Sequence, residues 1–155
     1  MHRPQTLAEV ACILRSNPSD FAMPLDEFCD EFYLDHPNKA AQQRRIDPIP
    51  DPTGDPLADA WIGAVGEHLA LRWGLQVPAW TRRAVHFAIE DPHFAPAAKA
   101  MRGVVIVESP PAFRSRLIFT RAEPLARARF PRDVPRAQVP LQWPPPEEAD
   151  EPFDP

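Results

Sequence analysis

Six arginines and no lysine stand between residues 114 and 132, at Arg114, Arg116, Arg121, Arg127, Arg129 and Arg132. A guanidinium presents a planar fork of donors, so this set suits carboxylate or phosphate partners. The same residues can instead tie the last helices to a structural acid such as Glu108 or Glu90, and both readings stand. A second set is acidic: Glu147, Glu148, Asp150, Glu151 and Asp154 lie among prolines, with Trp143 and Phe153 as apolar anchors. Prolines lower the entropy cost of docking an extended segment. Such a segment can fold back on the arginines, reach a basic site on another protein, or only add solubility. The candidate partner-binding residues are therefore Arg114, Arg116, Arg121, Trp143, Glu147, Glu148, Asp150, Glu151 and Phe153.

Catalytic patterns are weaker. None of the five histidines pairs with another at the i, i+4 spacing of a helical zinc site, and Glu67-His68 lacks the second histidine. His68 reads as a partly buried helix residue. The five glycines form neither a phosphate loop nor a dinucleotide pattern, and there is no Gly-x-Ser-x-Gly elbow. Asp26 and Asp30 lie four apart but opposite the Phe28/Phe32 stripe, as a solvated face would. Glu67, His68 and Glu108 come nearest to an acid/base set, with nothing to bring them together. The expectation is no catalytic residue, no metal and no cofactor.

The elements that must position these groups are short helices cut by 22 prolines. Thr6-Leu-Ala-Glu9 is a capping box, followed by Leu7, Val10, Ala11 and Leu14 at helical spacing. A second helix starts near Pro24, carries Leu25, Phe28, Cys29 and Phe32 on one side, and stops at His36-Pro37. Lys39 to Ile46 adds further turns. Residues 47–56, with four prolines and a glycine, read as a linker. Asp55 and Pro56 open a helix over 56–73 with Leu57, Trp61, Ala64, Val65, Leu69 and Arg72 on one face, and Gly74 closes it. Gly63 and Gly66 weaken this helix unless another backbone approaches closely there. Thr81 caps a helix to Glu90. Residues 97–108 are ambiguous between helix and strand, and helix is favoured because a lone strand has nowhere to pair. Ser109-Pro110 starts a helix through Arg116, and Thr120-Arg-Ala-Glu123 caps a last one. The fold class is mainly α, a single small irregular helical bundle with proline-rich connections and an extended acidic C-terminal tail. Its parts are an N-terminal helical segment (1–46), the linker, a main helical body (57–130) and the tail (131–155).

Charge follows this division. Residues 1–55 hold five Lys/Arg against ten Asp/Glu, residues 56–136 twelve against seven, and residues 137–155 none against five. Cys29 sits on an apolar stripe as a free thiol, which with the absent metal spacing fits a reducing compartment. No apolar run approaches the roughly 18 residues of a membrane span, and the N-terminus carries no long apolar export segment. A cytoplasmic protein without a membrane partner is expected.

Three stretches together resemble a family of small bacterial helical proteins. They are Phe28-Cys-Asp-Glu-Phe-Tyr33, Gly66-Glu-His-Leu-Ala-Leu-Arg-Trp-Gly-Leu-Gln-Val-Pro-Ala-Trp-Thr81 and Glu108-Ser-Pro-Pro-Ala-Phe-Arg-Ser-Arg-Leu-Ile-Phe119. Members are often encoded beside nucleotidyltransferase-like toxins, so the resemblance implies an antitoxin-like protein that binds and neutralises such a toxin. It implies no catalytic residues. The chain departs from the pattern at Asp91-Pro-His-Phe94 and in its acidic tail, so nothing about the tail is implied. The alternative is a DNA-binding regulator of its own operon. Its 114–132 arginines suit that role, but residues 1–55 carry twice as many acids as bases.

Overall fold

The computed structural model describes residues 3–17, 20–95 and 102–134. The architecture is mainly helical, with six α-helices and two 3-10 turns among the described residues. Helix α1 (Leu7–Ser16) begins as its capping box predicts: Thr6 Oγ1 accepts from the Glu9 amide at 3.1 Å. Glu9 reaches back one residue further, to the Gln5 amide at 2.8 Å. Helix α2 (Ala22–Leu34) starts two residues before Pro24 and buries Leu25, Phe28, Cys29, Phe32 and Tyr33. Asn38 caps α3 (Lys39–Ile46), which Arg45 ties to Asp35 and to the Gln5 carbonyl at 3.1 Å.

Helix α4 (Pro56–Trp73) is the centre of the molecule. Asp55 accepts from the Leu57 amide at 3.0 Å, Pro56 occupies the first turn, and Gly74 ends the helix at φ 71°. The Leu75 amide then donates back to Ala70 O at 2.8 Å, closing the last turn. The sequence marks one apolar face, but almost every residue from Ala58 to Trp73 is buried, charged ones included, and Leu57 and Trp61 stand at the rim. Helices α1 and α3 pack on it from one side of the 47–56 segment, and the two 3-10 turns and a later helix from the other. That segment is itself tied down. Thr53 N donates to Asp59 at 2.8 Å, and Arg83 to Pro50 O at 2.7 Å.

Beyond α4 the chain departs from the helical expectation. In place of a helix from Thr81 to Glu90 it makes two 3-10 turns, Ala79–Arg82 and Ala84–Phe87, separated at Arg83 by an extended ψ of 145°. Thr81 does not cap; its hydroxyl donates to Pro78 O at 2.8 Å. The reason lies in α4. A Cβ at Gly63 would stand 2.6 Å from His86 Cβ, and one at Gly66 2.8 Å from the Trp80 ring. The two glycines let the turns press against the helix, the close packing that their cost in a helix demands.

Strand β1 (His93–Phe94) pairs in parallel with β2 (Ile118–Phe119). The pairing partner that the sequence did not reveal is thus a two-residue bridge, secured where Leu117, at φ 61°, turns its carbonyl to accept from His93 N at 2.8 Å. Helix α5 (Arg102–Glu108) resolves the ambiguous stretch as helix over its described part; residues 97–101 lie outside the described residues. Helix α6 (Pro111–Arg114) is shorter than expected. No last helix follows Thr120 among the described residues. The first turn would need an amide at residue 124, which is proline, and the Thr120 hydroxyl donates to Arg121 O at 2.9 Å instead of capping. No helix among the described residues is long and apolar enough to cross a membrane.

Candidate functional site

The arginines of 114–132 divide between positions paired with acids and exposed ones. Arg116, placed by the turn after α6, is 1% exposed. It donates to the Glu67 carboxylate, to Ala112 O and Thr81 O at 2.7 Å each, and stands 4.2 Å over the Phe87 ring. Arg82 reaches the other Glu67 oxygen from a largely exposed position, so Glu67 is clamped between two guanidiniums. Burial pulls the Arg116 pKa below its usual value, and the Glu67 hydrogen bond and charge oppose that pull. Among the sequence candidates, Arg116 is therefore a core residue, and its acid is Glu67 rather than Glu108 or Glu90.

Arg127 is also committed. It donates to both Asp30 oxygens at 3.0 and 3.1 Å and lies 3.3 Å from Asp26. Asp26 and Asp30 are thus an arginine seat and not a solvated face. The Arg127 hydrogen bond holds Asp30 below the usual carboxylate range, while burial raises Asp26. Arg114, Arg121, Arg129 and Arg132 are exposed. Trp143, Glu147, Glu148, Asp150, Glu151 and Phe153 lie outside the described residues.

The acid/base candidates are not brought together. Glu67 is enclosed by its arginines, His68 is buried with its ring 5.5 Å from that of Phe113, and Glu108 is exposed at the end of α5. His86 is the histidine in a polar setting. Its Nδ1–H donates to Asp59 O at 2.7 Å and its Nε2 accepts from Arg83 at 3.0 Å, which fixes the neutral tautomer. Burial lowers its pKa below 6.5, with Arg83 and Arg116 adding to the shift. Cys29 is buried and its thiol pKa is pushed up, chiefly by that burial; Cys12 is exposed. No group of three or more metal-ligating side chains forms among the described residues.

The two longer motifs of the sequence resemblance meet in space. Glu67 pairs with Arg116, Arg116 bonds Thr81 O, and His68 faces Phe113. These motifs build the scaffold around α4.

What sequence reasoning missed is the outer face of α5. Val105 is fully buried, but Val104, Ile106 and Val107 are 43%, 46% and 75% exposed, and the space around Gly103 is open. The signal was present: four consecutive apolar residues on a helix cannot all face one core. Arg102 opens this helix, over the Phe94 ring at 4.8 Å. Arg121 is brought beside its end because Ser109 Oγ donates to Val105 O and accepts from the Thr120 amide at 2.9 Å.

No protein-family model, curated protein or solved structure matches this chain.

Proposed function

We propose that the chain is a non-enzymatic, antitoxin-like cytoplasmic protein that binds and restrains a nucleotidyltransferase-type enzyme. The observation that carries the binding role is the exposed apolar face of α5, Val104, Ile106 and Val107, bordered by Arg102 and Arg121. Contiguous apolar exposure on a small protein marks an interaction site more often than scattered single residues do. The class of partner rests on the motif resemblance. Consistent with a scaffold role, Glu67 and Arg116 of those motifs are spent on each other. DNA binding is less well supported, since Arg116 and Arg127 are withdrawn from it by their carboxylates.

Co-expression with the adjacently encoded nucleotidyltransferase should give a co-purifying complex and rescue growth. Val104→Asp with Val107→Asp should abolish both while leaving the melting temperature unchanged, because these side chains are exposed. No co-purification and no rescue by the parent chain would overturn the reading.

A further inference from the structure

We propose that the 47–56 segment is latched to the core through Arg83 and His86, and that acid opens the latch: proton uptake on the His86 ring frees the middle of the segment while its two ends stay fixed. The segment is held at three points. At one end Trp80 Nε1 donates to Ile46 O at 2.9 Å, and at the other Thr53 N donates to the Asp59 carboxylate at 2.8 Å. Between them residues 47–49, 51 and 52 are exposed, but Pro50 is buried and its carbonyl accepts from Arg83 at 2.7 Å.

That middle anchor depends on a single nitrogen. Arg83 Nη2 donates both to Pro50 O and to His86 Nε2, 3.0 Å away. The neutral ring accepts there because its other nitrogen donates to Asp59 O at 2.7 Å. With a proton on Nε2 both ring nitrogens are donors, and a positive ring faces the guanidinium across the same gap. One of the two must move. His86 is fully buried, seated against Gly63 and the Trp80 ring. Arg83 is only half-buried, and its remaining bond, from Nε to Trp80 O, is long at 3.3 Å. Arg83 therefore swings away, and the Pro50 anchor goes with it. The outer anchors run through Trp80 and Asp59 and involve no histidine.

The groups around the ring give the direction. Burial is the largest influence and favours the neutral form; Asp59 of α4 opposes it, while Arg83 and Arg116 reinforce it. Arg116 is itself paired with Glu67, which also binds Arg82, and in the segment Asp47 and Asp51 are exposed. The latch is thus closed at neutral pH and opens as pH falls beneath 6.5.

A nuclear magnetic resonance titration of the isotope-labelled full chain between about pH 7.5 and about pH 5 tests this. It reads the His86 ring, the Ile49 methyl, the Asp51 amide and the Val65 methyls of α4. Ile49 and Asp51 should shift with the midpoint of the His86 ring, while Val65 stays in place. In His86→Gln, whose amide can still donate to Asp59 O and accept from Arg83, that shift should be lost. In Arg83→Met, Ile49 and Asp51 should sit at their acid positions already at neutral pH. Stationary Ile49 and Asp51 signals while His86 titrates would overturn the proposal, as would a shift that persists in His86→Gln. A ring that titrates only as the Val65 signals collapse would also overturn it, since His86 would then open the whole core and no local latch. The parent titration decides alone where a variant fails to fold.

Discussion

At the scale of single residues, the decisive group is Glu67. It balances Arg116, which is 1% exposed and has no other counter-charge among its hydrogen-bond partners. Removing one member of a buried pair leaves an uncompensated charge in low dielectric, typically at a cost of about 3–5 kcal/mol. Glu67→Gln should therefore destabilise by about that much in chemical denaturation. Arg82→Ala should cost under about 1 kcal/mol, because its side chain is largely exposed. Equal costs for the two would show that the exposed arm carries the clamp. His86 predicts a pH dependence of definite sign. Its folded pKa lies below 6.5, so the stability it contributes is complete above that value. As pH falls below 6.5 the unfolded chain takes up a proton that the folded chain refuses, beside Arg83, Arg116 and the Asp59 carbonyl. Stability should decline through that window. His86→Gln, though less stable overall, should show a flatter profile there; an unchanged slope would exclude His86 as the source.

At the scale of elements, the sequence was informative where local chemistry decides and silent where packing does. Thr6, Asp55 and Gly74 mark helix ends, and each does so in the fold. Thr81 and Thr120 carry similar local signals and cap nothing. Trp80 and His86 are held against Gly66 and Gly63, a tertiary demand that overrides the helical preference of 81–90. Pro124 removes the amide that a helix after Thr120 would need first. The turn at Leu117 was hidden for the opposite reason: a left-handed φ announces itself as glycine, and here leucine takes it. For the site, arginine type and spacing were legible but their partners were not. Arg116 is 49 positions from Glu67, and Arg127 is 97 from Asp30. Such pairings depend on how α4 threads the core. The α5 face was legible in its uninterrupted apolar run, read there only as a choice between helix and strand.

At the scale of the whole molecule, residues 121–134 form a strap without regular helix that closes the C-terminal end of the described chain onto the N-terminal helices. Three kinds of contact hold it. Tyr33 donates to Leu125 O at 2.7 Å in a buried setting, and Arg127 bonds Asp30 at the surface. Arg72 binds Glu123 at 3.1 Å and stands 4.4 Å over Trp73, while Phe130 meets the Tyr33 and Trp73 rings edge-on. The strap has no helical ladder of its own, so its amides should exchange by local opening, well before those of α4. Its two tethers should differ in weight. Tyr33→Phe leaves the buried Leu125 carbonyl without its donor, a loss of about 1–3 kcal/mol. Arg127→Ala removes a pair whose arginine is 37% exposed, worth under about 1 kcal/mol. Hydrogen exchange resolved along the chain should show 121–134 accelerating strongly in Tyr33→Phe and mildly in Arg127→Ala, with α4 unchanged in both. If α4 accelerates in step with the strap, the segment is no separate unit, and the N- and C-terminal parts open only when the whole core does.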